Sequence, residues 1–313
     1  MINLVKPRIG MVGLGGIAQK AYLPILSNET DWTFTGAFSP NEKKRKAICG
    51  QYRIQDFGSL QALAQVCDAV FVHSSTVSHY EVVSELLHKG LDVYVDKPLA
   101  ASIQDAEKLV ELSEKKGRKL MVGFNRRFAP MYVQAKEKAN NTAWVRVEKH
   151  RTDSVGPYSY GFTMLDDYLH LVDTARWLGD GNLRLLSGKI HTNDENQLLY
   201  THHTYETSQN LAFTTAMHRK AGTSLEQLEL VTNGRIIRVK NMNTTEIEQD
   251  NAISTTFSAS WDSSVKQRGF EGAVQHFIDC IQNDKQPVVD GMEGLKSQLV
   301  VEQMLSSNEI NVY

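Results

Sequence analysis

Gly13-Leu14-Gly15-Gly16-Ile17-Ala18 follows directly on the apolar run Arg8-Ile9-Gly10-Met11-Val12. The run is short and reads as a buried strand, and residues 17–26 read as a helix interrupted or ended near Pro24. A Gly-x-Gly-x-x-Ala turn between strand and helix is the context in which this spacing holds a dinucleotide. The first glycine permits the tight turn, the second lets the backbone approach a pyrophosphate, and the small third residue lets helix and strand pack closely. The helix N-terminus adds free N–H groups and a partial positive charge for the phosphates.

Outward from this turn the rhythm repeats. Strands are expected at 32–38, 68–73, Asp92–Val95 and 119–123, and helices at 42–51, 59–66 and 77–89. A further helix runs from Ser102, with Asp105 three residues on as its capping partner, to Gly117. The alternation predicts a parallel, doubly wound sheet, an α/β Rossmann domain over residues 1–123. After Phe124 the pattern changes. Helices are expected at 130–140, 164–178, 270–281 and 291–306, with a strand at 143–149 and several more from 183 to 257. Asn233-Gly234 marks a hairpin among them. Residues 124–313 therefore read as an α+β domain on a large, mostly antiparallel sheet that binds substrate and supports oligomerisation.

Composition narrows the function. The 313 residues carry a formal charge of −2, which gives no electrostatic case for nucleic acid or an anionic membrane. No apolar run approaches the roughly 20 residues of a membrane-spanning helix, and no apolar signal core of about 7–15 residues precedes Arg8. Cys49, Cys67 and Cys280 are far apart, against both a disulfide framework and a zinc site. A cytoplasmic protein with no metal is expected.

The second strand ends in Phe38-Ser39-Pro40-Asn41, where NAD binders usually place an acid for the ribose 2′-hydroxyl. Ser39 has no charge to repel a 2′-phosphate, and Lys43, Lys44 and Arg45 follow. NADP is expected as the preferred cofactor, with NAD as the alternative. The plain reading of these cations as a solvated helix face stays open. Ser74, Ser75, Thr76 and His79 stand at a strand end that faces the ligand crevice, although His79 suits a structural role equally.

Asp96-Lys97-Pro98-Leu99 resembles the Glu-Lys-Pro motif of the glucose–fructose oxidoreductase and inositol dehydrogenase (Gfo/Idh/MocA) superfamily. Residues 121–128, the run Asp166-Asp167-Tyr168-Leu169-His170-Leu171-Val172-Asp173, and the stretch from Phe277 to Leu295 resemble three further segments of that superfamily. The wording around His73 and Asn125 is similar to its bacterial MviM group, a virulence-factor homologue whose name states no reaction. The resemblance implies Lys97, Asp166 and His170 as the catalytic set, and Asp96, Lys97, Asn125 and Arg127 at the cofactor. Arg151 and Tyr168 join Lys97, Asp166 and His170 at the substrate, the Tyr168 ring replacing a family glycine near the pocket. At about 100° per residue, Asp166, His170 and Asp173 share a helical face.

The roles fit the residue types. Histidine titrates near neutrality, so His170 can take a hydroxyl proton as hydride leaves carbon. Lys97 can stabilise charge developing on the substrate oxygen, and Asp166 can orient the hydroxyl or the histidine. Arg127, Lys149 and Arg151 could favour a carboxylate or phosphate on the substrate. An NAD(P)-dependent dehydrogenase or reductase is expected, acting on a sugar, polyol or related hydroxyl or carbonyl compound as a homodimer or homotetramer. A glycosidase that oxidises its substrate transiently on bound NAD and a non-catalytic dinucleotide-binding regulator are the rival readings.

Overall fold

The computed structural model describes residues 6–28, 30–179, 181–307 and 310–312. Two compact units emerge: residues 1–124 with 270–296, and residues 125–269 with 297–313. The segment 270–296 groups with the N-terminal unit for a packing reason. Its helix Phe270–Gln282 sets the Phe270 ring edge-on to Tyr22, and Phe277 edge-on to Phe71 and Tyr94. Such edge-to-face pairs add to the burial of the rings themselves.

The first unit is a six-stranded parallel sheet. Its strands are β1 (Arg8–Val12), β2 (Thr33–Phe38), β3 (Gln55–Asp56), β4 (Ala69–Val72), β5 (Asp92–Val95) and β6 (Leu120–Val122), in the order β3-β2-β1-β4-β5-β6. Strands β4 and β5 are buried at every residue, as strands covered on both faces must be. The order reverses between β1 and β4, which pair directly, so a crevice for a ligand opens beyond their carboxyl ends. The helix after Ser102 stops where the sequence predicts: Ser102 caps it by accepting from the Asp105 N–H, and Gly117 closes it in the left-handed conformation.

The second unit is built on a nine-stranded sheet. Its strands are β7 (Thr142–His150), β8 (Arg184–Thr192), β9 (Leu198–Glu206), β10 (Ala212–His218), β11 (Leu225–Thr232), β12 (Arg235–Lys240), β13 (Thr244–Gln249), β14 (Ala252–Phe257) and β15 (Ile310–Val312). The order is β14-β13-β12-β11-β7-β10-β9-β8-β15. Neighbours run antiparallel except β7 with β10 and β8 with β15. Asn233-Gly234 forms the two-residue turn from β11 to β12, pairing Thr232 with Arg235. Alternate residues such as Val145, Val147, Phe213, Leu228, Leu230 and Ile237 are buried, and the helix Leu169–Leu178 lies on β7 and β10. This helix carries His170.

Candidate active site

Gly13 sits at φ +89°, and a Cβ there would stand 2.5 Å from the backbone of His73 and Ser74. Only glycine lets the turn after β1 pass this close to the end of β4. Its N–H donates to the Phe38 carbonyl at 2.9 Å, which ties the turn to β2 as well. The other side is open: a Cβ on Gly16 would meet nothing within 4 Å, and one on Gly15 only the His73 oxygen at 3.9 Å. Ala18 is fully buried beneath, while Ile17 is partly exposed. Bare backbone over the start of a helix is a cradle for a pyrophosphate, so these residues fit a dinucleotide. A Gly13→Ala variant is expected to lose about 1–3 kcal/mol of stability to strain and to bind NADPH more weakly. Thermal unfolding and a fluorescence titration check this, and wild-type values in both would contradict it.

At the end of β2, Ser39 is buried and leaves no carboxylate there. Lys43 and Lys44 are exposed on the first turn of the helix Glu42–Tyr52, which Asn41 caps by accepting from the Lys44 N–H. Arg45 departs from the expected cationic patch. It is buried, pairs with Asp56, donates to the Ser39 carbonyl at 2.8 Å and lies over the Phe38 ring. Asp56 draws it inward from β3, a two-residue strand that the sequence does not announce.

Beyond β4, the Ser78 hydroxyl reaches the Ser74 hydroxyl at 2.9 Å and the Ser75 carbonyl at 2.8 Å. Ser75 is exposed and Thr76 half-buried. His79, expected at the cofactor, is instead buried between two loops. Its Nδ1 lies 2.8 Å from the Pro98 carbonyl and its Nε2 3.2 Å from that of Ser74. Burial disfavours the charged ring, so a neutral imidazole donates to one of these carbonyls, and the ring positions both loops by packing between them. Asp96 and Lys97 are half-buried after β5, with the Lys97 N–H donating to Asp96 Oδ1 at 2.9 Å and a cis Lys97–Pro98 peptide following.

In the second unit, residues Met164–Tyr168 form a wider, π-helical turn that runs into the helix Leu169–Leu178. The 100° spacing therefore fails between Asp166, in this turn, and His170, while His170 and Asp173 keep it on the regular helix. Asp173 is nevertheless engaged away from any substrate role. It is buried, receives Arg127 in a fork at 2.7 and 2.9 Å, and accepts from the Ser297 hydroxyl. Arg127 and Asn125, expected at the cofactor, hold this unit together: Asn125 donates to the Arg268 carbonyl at 2.7 Å. Tyr168 is corrected too. Its ring is fully buried, and its hydroxyl meets Thr215 and the His203 Nδ1. The tyrosine that replaces the family glycine thus fills core space against the sheet. Burial lowers the pKa of His203 to about 3, so the ring is neutral in this core.

His170 is buried, with Arg126 Nη1 at 3.1 Å from Nε2 and 3.3 Å from Nδ1. A guanidinium only donates, so the ring edge facing it presents a lone pair. Arg126 is in turn gripped by Glu226 at 2.9 and 3.1 Å. Lys149 lies 3.8 Å from the same carboxylate and pairs with Asp167, which also meets Arg219. An ion network thus runs from Arg219 through Asp167, Lys149, Glu226 and Arg126 to His170. Burial alone would raise the Glu226 carboxyl, but Arg126, Lys149 and Arg268 outweigh it and hold it low. Asp167 is held low by Lys149, Arg151 and Arg219 against the same penalty. Burial pushes Lys149 down to about 8.

Asp166 lies beside this network. It lines a cavity of about 410 Å³ with Asp153, Ser154, Tyr158, Phe162 and Arg219. The Tyr158 and Phe162 rings stack there at 4.4 Å and are exposed. Arg151 is half-buried, 3.8 Å from Asp167. Among the described residues no cluster of His, Cys, Asp or Glu is arranged to hold a metal ion, and no helix is long and apolar enough to cross a membrane. Sequence reasoning missed Arg126, Asp167, Arg219 and Glu226. Glu226 carries no motif; its only signal is a carboxylate at an inward position of the alternating strand β11, 100 residues from the arginine it binds.

Known proteins are similar to this chain along most of its length. Residues 7–124 match the family described as "Oxidoreductase family, NAD-binding Rossmann fold". Residues 130–250 match the family described as "YceM-like, C-terminal domain". YceM of Salmonella typhimurium is 50% identical over 295 residues, 94% of this chain and 96% of that protein. The crystal structure of the dehydrogenase MviM from Clostridium difficile is 44% identical and superposes with a TM-score of 0.95, covering 97% of this chain and 100% of that one. An inositol 2-dehydrogenase/D-chiro-inositol 3-dehydrogenase of Halalkalibacterium halodurans is 26% identical over 301 residues, 90% of this chain and 84% of that protein. With its parallel dinucleotide-binding sheet and its large second sheet, the chain belongs to the Gfo/Idh/MocA family of oxidoreductases.

Proposed function

We propose that the protein transfers a hydride between NADP(H), in preference to NAD(H), and a secondary hydroxyl or ketone of a sugar, polyol or related compound. The observation that carries this reading is the loop after β5. Lys97 stands one strand beyond the β1/β4 switch point, at the carboxyl end of the sheet where a dinucleotide cradled at Gly13 extends. The bound nicotinamide supplies the hydride chemistry.

In this reading Lys97, Asp166 and His170 act on one substrate. Lys97 donates to the reacting oxygen and offsets its developing charge. His170 accepts the hydroxyl proton on its lone-pair nitrogen, which requires the Arg126 guanidinium to release that nitrogen as substrate binds. Asp166 orients the hydroxyl, and Arg151 contacts a remote part of the substrate. The inositol dehydrogenase relative supports a polyol-like substrate. Homodimers or homotetramers in a reducing cytoplasm are part of the same proposal, with Trp144, Phe257 and Trp261 exposed for assembly.

The cofactor preference rests on Ser39 standing where a carboxylate would repel a 2′-phosphate, beside the exposed Lys43 and Lys44. A fluorescence titration with each reduced dinucleotide tests it. NADPH is expected to bind about tenfold or more tightly than NADH, and Lys43→Ala/Lys44→Ala is expected to erase most of that ratio. Tighter binding of NADH by the wild type would overturn the preference.

A further inference from the structure

We propose that the second unit takes an anionic group of the substrate, a carboxylate or a phosphate ester, on the guanidinia of Arg151 and Arg268. The inference rests on the reading that this unit binds the hydroxyl substrate, and it names the kind of substrate.

Among the described residues, Arg126, Lys149, Arg151, Arg219 and Arg268 gather on Asp167 and Glu226. Adding Asp153 and Asp166 from the adjoining cavity gives five cations against four carboxylates. The short contacts go to three of the five: Arg126 grips Glu226, while Lys149 and Arg219 hold Asp167. Arg151 and Arg268 stop at 3.8 Å from their nearest carboxylate oxygens, beyond a hydrogen bond. These same two side chains are the open ones, 35% and 40% exposed against 2% for Lys149.

Their backbones are pinned while their forks stay open. The Arg151 N–H donates to the His218 carbonyl at 2.9 Å and its own carbonyl accepts from Ala221 at 2.6 Å. The Arg268 carbonyl holds Asn125, and Gly269 at φ +81° passes so close that a Cβ would lie 2.2 Å from the Asn125 oxygen. Burial, Arg126 and Arg151 all disfavour the charge on Arg268. An anion with two oxygens in a plane satisfies such forks and offsets this repulsion, and arginine forks match carboxylate and phosphate alike. Arg127, the other arginine suggested for this task by the sequence, is committed to Asp173.

The test uses the full-length protein at constant ionic strength, with binding followed by calorimetry. Inorganic phosphate and D-glucuronate serve as probes, and D-glucose is the neutral control. Saturable binding of at least one anion is expected, weakened about tenfold or more in Arg151→Gln/Arg268→Gln, with NADPH affinity unchanged. Binding of phosphate alone assigns a phosphate ester, and of glucuronate alone an acid. No anion binding by the wild type, or equal binding by the double variant, would overturn the proposal. NADPH binding and oxidation of a neutral polyol by that same protein would then show the oxidoreductase reading standing without it.

Discussion

Lys97→Ala is expected to lower kcat by about 10²–10³-fold, the usual cost of removing one donor from a developing oxyanion. The lysine follows β5 directly and is braced from behind: its N–H is held by Asp96, and the next carbonyl, Pro98, by His79. Loss of the ammonium should leave this backbone intact, so the effect belongs to chemistry. The expected split is a large fall in kcat with a much smaller change in KM, because the interaction strengthens as charge develops. Lys97→Arg, which keeps the charge but moves its donors, should recover only part of the rate. Steady-state kinetics read both variants, and a wild-type kcat in Lys97→Ala would remove the residue from the catalytic set.

Glu226→Ala is expected to cost about 3–5 kcal/mol of stability, because it strands Arg126 and part of the Lys149 charge inside the second unit. Glu226→Gln keeps the shape and should cost less. The carboxylate also sets an acid limb. Its pKa lies below the ordinary 4.5, at about 2, so its contribution is complete above about 4.5 and drains away as pH falls towards about 2. Stability in the Gln variant should therefore fall less steeply through that window. Because Arg126 also holds His170, both variants should slow turnover. Urea unfolding across pH checks the account; a loss below about 1 kcal/mol for Glu226→Ala would place the network outside the stabilising core.

The first unit was legible because its signals are local. A strand, a glycine turn and a helix are neighbours in sequence, and Gly13 touches the end of β4 through the backbone conformation that the motif encodes. The Asn233-Gly234 turn and the Ser102 cap were readable for the same reason. The second site was harder. The pair Asp166-Asp167 looks uniform in sequence, yet one carboxylate faces a cavity and the other is drawn into a cationic network. A π-turn, which periodicity does not announce, decides which is which. Tyr168 looked like a pocket residue because the family has glycine there, but His203 and Thr215, arriving from distant strands, claim its hydroxyl. His79 turned inward for a similar reason: the two carbonyls that flank it belong to loops 5 and 19 residues away.

The most direct test of the central claim follows the absorbance of the reduced nicotinamide. Purified protein is mixed with NADP⁺ or NAD⁺ and a panel of polyols, sugars and their acids and phosphates, the panel carrying deuterium at the reacting carbon in a second run. The account predicts reduction of the dinucleotide by at least one member, with deuterium arriving on the nicotinamide ring and the signal lost in His170→Ala. Tight dinucleotide binding with no transfer from or to any hydroxyl or carbonyl compound in the panel would contradict it and favour a binding protein that does no chemistry.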